Sequence, residues 1–422
     1  MAKLNKKKSG ASSSPTQKDI ADALQLSQTT VAMALSSKYE GRLLEETVER
    51  VRKYAAEVGY HPQRFAQMMR GGRSRIVGVV VRLGVYTDHH QLLSLLSNEL
   101  TRSGYRLILA DPEWFGGDHG LVKAYLLDHG VEGVVFCNIV QPEEARSLYE
   151  LLPTSLPAVS LQSSIDSIPN VRSDIESAYY ALTRLHLAFG ARRLNLLLSF
   201  RDKGHLGRPA FTAIDRAKGF SRAISEAGGG VFADDVVREL LELPNCLNPQ
   251  NQGPSKIAGK IIHPERLPMI NNAYDNGFYT ATELIRSDAI PDSLICANDD
   301  TAIGALAAFL RSDVRVPGQV RISGHDNTVA GSYATVPLMT VSVPLLEMVK
   351  KATGHLVSMI DGAGEREVSS MSKLPSEILI NLSASCAERV RSLSGNPDLQ
   401  MIDGNRVVWE TMDSYQYEDL NL

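Results

Sequence analysis

The sequence predicts an α/β protein: a small all-helical module at the N-terminus, followed by a larger two-lobed domain in which helices cover both faces of doubly wound parallel sheets. Three observations carry this expectation. Three short amphipathic segments with helix caps between them fall within residues 16–62. From Ile76 onward, apolar runs of strand length alternate with amphipathic helical stretches, the pattern of parallel strands joined by covering helices. Between the two regimes, Gly71 and Gly72 interrupt a basic stretch and mark a linker. A chain of 422 residues is longer than one ordinary core requires and suits this division.

Residues 1–15 are rich in Lys, Ser and Gly and end at Pro15; with so little apolar material to bury, they are expected to form a disordered basic tail. Order is expected from Thr16, an N-cap for a helix with Ile20, Ala21 and Leu24 on one face. After a break at Gln25 and Leu26, Ser27 caps a second helix, Gln28 to Ser36, whose apolar contacts are Val31, Ala34 and Leu35. A third, Glu45 to Val58, buries Val48, Val51, Tyr54 and Ala55 and stops at Gly59 ahead of Pro62. Three short helices in this order compose a helix-turn-helix headpiece over residues 16–62. Residues 63–75 (QRFAQMMRGGRSR) predict one short helix and then the linker. A helix of that length does not persist alone in water, so it needs a surface to fold against.

Residues 76–385 supply the large domain. IVGVVV, RLILA and GVVF read as strands, separated by helices from Leu92 to Ser103 and from Leu121 to His129. NLLL, LICAND and VRISGHD mark the strand ends of a second set. Two such lobes place a ligand cleft between them, beside the carboxyl ends of the strands. The Pro-, Asn- and Gly-containing stretch 243–272 reads as a long surface loop. Residues 386–422 read as a C-terminal extension without the leucine heptads of a coiled coil.

Charge is unevenly distributed. Residues 1–75 hold 14 Lys and Arg against 7 Asp and Glu, a net of +7; the overall net of −4 leaves −11 for the remainder. A basic head on an acidic body points to a polyanionic partner for the head alone.

Several classes are excluded. The sequence has no apolar run long enough for a transmembrane helix, so no membrane partner is expected. Its basic start is followed by Ser and Gly instead of a signal core, so the protein is expected to be cytoplasmic. Cys137, Cys246, Cys296 and Cys386 lie far apart, with no CxxC pair and no clustered His, so neither a metal site nor a disulfide framework is expected, and no cofactor. No nucleophile elbow or phosphate loop appears, and the chain is not expected to be an enzyme.

The headpiece reads T-x-x-D-I-A-x-A-L-x-L-S-x-T-T-V-A-x-A-L from Thr16 to Leu35, with a Gly59-Tyr60-His61-Pro62 exit. Further on come R-A-K-G-F from Arg216, A-N-D-D-T-A-I-G-A-L from Ala297, R-V-P-G-Q-V-R-I-S-G-H-D from Arg315, P-L-M-T-V from Pro337 and L-P-S-E-I-L-I from Leu374. In this order, from about Thr16 to Ser383, the sequence resembles the lactose and galactose repressor (LacI/GalR-type) family of bacterial transcriptional regulators.

The resemblance implies a periplasmic-binding-protein-like large domain and a homodimer whose two heads dock the half-sites of a near-palindromic double-stranded operator. It puts the second helix in the major groove, with Gln28 and Thr29 where the family reads base edges. Thr16, Ser27, Thr30, Ala32, Met33 and Ser36 complete the headpiece's DNA-binding set. Where the family often has an arginine after its Ser, this chain has Ala32 and Met33, which removes bidentate guanine recognition there and leaves Met33 to meet a thymine methyl or pack inward. Phe65 to Met69 resembles the hinge helix that folds on DNA, with Arg64 beside phosphate and Met69 as the minor-groove wedge.

For the cleft, the resemblance implies a small-molecule effector, a sugar or a related polar metabolite, held by Arg216, Asn298 and Asp326. Strand-end capping is the competing role for Asn298 and Asp326. Gln162 stands where many sugar-responsive members carry Asp, and Thr87-Asp88-His89-His90 replaces an N-P-F-F-like turn; His89 is the residue placed in the pocket from that turn. Trp114 and Phe115 offer an aromatic plate after the second strand. These departures keep open a regulator that binds DNA without sensing a metabolite. A solute-binding protein shares the two lobes but has neither the headpiece nor a reason for it.

Overall fold

Two separately packed units divide the chain, residues 1–74 and 75–422, in a computed structural model that describes residues 15–35, 43–60, 73–83, 88–139, 141–163, 165, 167–199, 210–233, 257–263, 272–362, 371–381, 399–403 and 406–410. The basic tail up to Ser14, Ser36, the Pro62 exit, and the hinge segment with Arg64 and Met69 lie outside the described residues.

The first unit contains α1 (Gln17–Leu24), α2 (Gln28–Ala34) and α3 (Glu45–Glu57). Thr16 starts α1 through a capping box: Asp19 N donates to Thr16 Oγ1, and Thr16 N donates to Asp19 Oδ2 at 2.7 Å. Gln25, with φ of 54°, ends α1 in the left-handed region and reverses the chain. Ser27 then caps α2, its Oγ accepting from Thr30 N at 3.0 Å. Ile20, Ala21, Val31, Ala34, Val51 and Ala55 are buried together and form the core of the three helices.

The second unit holds two sheets. The six-stranded sheet has the order β12-β5-β4-β3-β1-β2. Its strands are β1 (Ile76–Val81), β2 (Arg106–Ala110), β3 (Gly133–Cys137), β4 (Ala158–Leu161), β5 (Asn170–Ser173) and β12 (Met371–Leu374), every pair parallel. The two-residue period of the strands decides their faces. Val77, Val79 and Val81 of β1 pack with Leu92, Leu96 and Leu100 of α4 (Asp88–Arg102) and with Val349, Ala352 and Leu356 of α12 (Leu345–Ile360). Val80 faces the other way, toward Val122 and Leu126 of α5 (His119–Asp128) and Ala145 and Leu148 of α6 (Pro142–Glu150).

The second sheet has nine strands in the order β14-β15-β13-β11-β10-β9-β6-β8-β7. Six are parallel: β6 (Arg193–Leu197), β7 (Gly230–Phe232), β8 (Ala258–Ile262), β9 (Ser293–Cys296), β10 (Arg321–His325) and β11 (Met339–Ser342). The helices α7 (Ile175–Ala188) and α8 (Phe211–Glu226) cover one face around Leu194, Leu196, Ile261 and Ile295. The opposite face packs Leu197, Leu294, Cys296 and Ile322 against α9 (Ala273–Arg286) and α10 (Asp299–Arg311), and the short α11 (Val329–Ser332) follows β10.

Three expectations are corrected here. The second lobe is not wholly parallel: β13 (Glu377–Asn381) runs antiparallel to β11, and the hairpin β14 (Leu399–Asp403) and β15 (Arg406–Glu410) continues the sheet from β13. Residues 386–422 therefore include sheet strands as well as an extension; their short apolar runs, RVVWE among them, carry no helical signal to set them apart. The supposed surface loop 243–272 contains β8, paired on both sides, with Ile261 buried. Its Gly259 and Lys260 diluted the apolar run that would have marked a strand. His89 and His90 belong to the first turn of α4, not to a loop, because that helix begins at Asp88.

Among the described residues the chain passes between lobes three times: from β5 to α7, from β11 to α12, and from β12 to β13. Asp174 N donates to Leu374 O at 2.8 Å, tying the first crossing to the third.

The helix pair α9 and α10 crosses at two glycines. A Cβ on Gly277 would lie 1.8 Å from Thr301 O, and one on Gly304 would lie 2.0 Å from Tyr274 O. Both obstacles are backbone, so neither can turn aside. Gly277→Ala is expected to cost about 2 kcal/mol by forcing the helices apart, read as a lower melting temperature; a melting temperature equal to the wild type would contradict the crossing.

Candidate functional site

The start of α2 is exposed, as are those of α1 and α3. Gln28 and Thr29 are exposed on the first turn of α2, and Ala32 and Met33, four residues on from each, are half-buried on the same side. Thr16 and Ser27 use their side chains as caps, and Thr30 Oγ1 lies 2.8 Å from Ser27 Oγ. Two arginines that the motifs pass over brace this arrangement from α3. Arg50 donates to Leu24 O and Arg52 to Ala34 O, each at 3.3 Å, at the last carbonyls of α1 and α2. Cations at helix C-termini are favourable both as donors and against the dipole.

In the second lobe, Arg216, Asn298 and Asp326 come from three elements. Arg216 lies on α8, buried, and its Nε donates to Tyr179 Oη at 3.1 Å. Tyr179 Oη donates in turn to the carbonyls of Cys296 and Ala297 at the end of β9, at 2.9 and 3.1 Å. His325 stacks on the Tyr179 ring with centroids 5.8 Å apart, and its Nδ1 lies 2.6 Å from Asp326 Oδ1. Tyr179 is thus part of the cluster although no quoted motif contains it, and His325 joins it from the motif that ends at Asp326; only the sheet brings α7 over β9 and β10.

Asn298 caps α10, its Oδ1 accepting from Thr301 N at 2.8 Å, the structural role weighed for it above. Asp326 keeps 18% of its side chain exposed and sits at φ of 100°, an unusual backbone for a residue with a side chain. Burial pushes its carboxyl up to about 7; Arg216 pulls it down and Asp300 pushes it further up. Asp299, fully buried beside it, is also pushed up to about 7, first by burial, with hydrogen bonds from Thr340 and Thr328 opposing and the Asp326 charge adding to the rise.

The first lobe contributes differently. Gln162, at φ of 52°, turns its amide onto Ser173: Nε2 donates to Ser173 Oγ at 2.9 Å and Oε1 accepts from Ser173 N at 3.0 Å. His89 lies in α4, and its side chain is outside the described residues. Trp114, in a 3₁₀ turn (Pro112–Phe115), is 57% exposed, whereas Phe115 packs on Tyr125. At the end of β1, Arg82 holds Glu144 through Nε and Nη2, the shortest contact being 2.6 Å, and Glu113 through Nη1 at 2.9 Å. A separate pocket of about 1090 Å³ lies at the lobe crossings, lined by Gln91, Asp174, Pro344, Lys373 and Ser376 among others. None of Gln162, Arg216, Asn298 and Asp326 lines it.

Similarity to known proteins follows the same division. Residues 259–380 match the periplasmic binding protein-like domain. Over 371 residues the chain is 22% identical to the HTH-type transcriptional regulator DegA of Bacillus subtilis (strain 168), covering 87% of this chain and 97% of that protein. It is 23% identical to the HTH-type transcriptional repressor PurR of Vibrio atlanticus (strain LGP32), covering 82% of this chain and 92% of that one. Its fold is similar to that of the lac repressor dimer bound to operator and the anti-inducer ONPF, with a TM-score of 0.66 and 19% identity, covering 86% of this chain and 97% of that one.

The buried acids have a signed consequence for stability. Asp326 has an ordinary value of 3.8, near which it ionises when unfolded, and about 7 when folded. Its contribution to stability is complete below the lower value and is lost as pH rises through the upper one. Asp326→Asn cannot ionise, so the stability of the wild type relative to this variant should fall between pH 5 and pH 8. Melting temperatures of both proteins at the two pH values test this; a gap that is constant or widens in favour of the wild type contradicts it.

Proposed function

We propose that this chain, which has the fold and domain order of the LacI/GalR-type (lactose and galactose repressor) transcriptional regulators, is a sequence-specific DNA-binding repressor whose operator affinity is set by a small polar molecule held between its lobes. The observation that carries this reading is the exposed first turn of α2, with Gln28 and Thr29 outward and the helix braced at its other end by Arg52, as α1 is by Arg50. A helix end of this kind fits the major groove, where an amide pairs with adenine and a hydroxyl with either base or phosphate. Half-buried Met33 has no charge to offer guanine, so the operator differs from those read by an arginine at that place.

The domains assigned to these roles are the headpiece at 16–62, the hinge at 63–75, and the effector and dimerisation domain from 76, to which the hairpin 399–410 adds strands. Two copies present two heads to a near-palindromic site in cytoplasmic DNA. Arg216, Asn298 and Asp326, with Gln162 and His89 from the first lobe, form the site for a sugar or related metabolite; its groups bind and do no chemistry. Ligand that prefers one arrangement of the lobes changes operator affinity by that preference and no more. The amide of Gln162, already engaged at both ends by Ser173, favours a second reading, a regulator that binds operator without sensing.

Fragments selected from genomic DNA by purified protein supply the operator. Gln28→Ala should weaken binding to that fragment about ten- to a hundredfold, the worth of a bidentate base contact, and leave binding to random duplex unchanged. Fluorescence anisotropy at fixed salt measures both; an equal loss on both duplexes would make Gln28 a phosphate contact. Release of the wild type from its operator by sugars separates the sensing from the non-sensing reading.

A further inference from the structure

The motif order brings Asn298 and Asp326 forward and passes over Asp299. Its carboxylate is wholly buried at the first turn of α10 and accepts three hydrogen bonds. Oδ2 accepts from Thr328 N at 2.7 Å and from Thr328 Oγ1 at 3.1 Å, and Oδ1 accepts from Thr340 Oγ1 at 2.7 Å. Thr340 Oγ1 in turn accepts from Asn327 N at 3.1 Å. Two successive amides, of Asn327 and Thr328, therefore end on one carboxylate, the second directly and the first through a hydroxyl.

Space for this carboxylate comes from glycines. A Cβ on Gly324 would lie 2.1 Å from Asp299 Oδ1, and one on Gly331 would lie 3.0 Å from Oδ2. The residues so clamped have an unusual backbone: Asp326 and Asn327 are consecutive and both left-handed, with φ of 100° and 50°. Non-glycine residues stay in that region only where their surroundings over-determine it. Two carboxyl oxygens offer acceptors to all three donors; an amide of the same shape would turn a donor toward one of them.

We propose that Asp299 is the positioning residue of the effector site. By fastening residues 327 and 328 to α10 and β11, it holds the backbone of Asp326 left-handed and so presents that carboxylate beside Arg216, with His325 on its Oδ1. This assignment rests on reading Asp326 as a ligand-binding group.

Residue-resolved hydrogen exchange on the full-length protein tests it, with Asp299→Asn, Thr340→Val and Thr340→Ser. The amides of Asn327 and Thr328 should exchange at least tenfold faster in the first two variants, with α7 and α8 unchanged, while Thr340→Ser, which keeps the hydroxyl, matches the wild type. In a panel of monosaccharides and disaccharides, the sugar that most raises the wild-type melting temperature should bind at least tenfold more weakly to Asp299→Asn and Thr340→Val, and normally to Thr340→Ser. Unchanged exchange at 327 and 328, or faster exchange throughout the lobe, overturns the role, as does faster exchange with unaltered sugar affinity. If no sugar binds the wild type, the reading of the effector site fails, and the exchange rates still decide whether Asp299 clamps the loop.

Discussion

Gly324 of β10 stands opposite Thr340 of β11, and much of the second lobe's chemistry follows from that one register. The missing side chain at Gly324 leaves room for the Asp299 carboxylate, and the Thr340 hydroxyl reaches it. Because side chains alternate across a sheet, a slip of one residue would move Thr340 to the other face and take one of three donors from the buried Asp299 carboxyl. The same parallel alignment sets β9 beside β10 with Leu294 opposite Ile322. Asn298 and Asp299 thereby emerge next to Asp326, although they are separated from it by a whole helix in sequence.

Buried polar groups in this lobe are arranged as bridges between layers. His186 is on the buried face of α7, with Nδ1 2.8 Å from Ser293 Oγ and Nε2 2.9 Å from Ser323 Oγ, spanning β9 and β10. Burial, then the charge of Arg321, drives it down to about 3, so it stays neutral and serves as a spacer of fixed length. Tyr179 does the same between α8 and the end of β9. Such bridges hold a site to a single geometry because every unmade bond would leave a desolvated group.

The first lobe carries ionic groups past the ends of β1 and β2: Arg82 is shared by Glu113 and Glu144, and Asp111 accepts from Leu83 N at 2.9 Å. Bidentate pairing fixes the guanidinium plane. The headpiece uses charge in another way, with Arg50 and Arg52 on helix ends. One chain therefore uses arginine as a clamp in the body and as a helix brace in the head.

The helical head was legible because each of its signals is local: Thr16 and Ser27 cap within three residues, and Ile20, Val31 and Val51 follow the helical period. Strands with long apolar runs, such as IVGVVV, were legible for the same reason. β8 was not, since Gly259 and Lys260 give it the composition of a loop, and only pairing with β6 and β7 makes it a strand. Arg216, Asn298 and Asp326 carry motif signals, but Tyr179, His325 and Asp299 acquire their roles from partners more than ten residues away. Local periodicity determines which segments become helix or strand; the ladder between β9, β10 and β11 decides which buried groups meet, because only a register can specify distances between residues that the chain itself keeps apart.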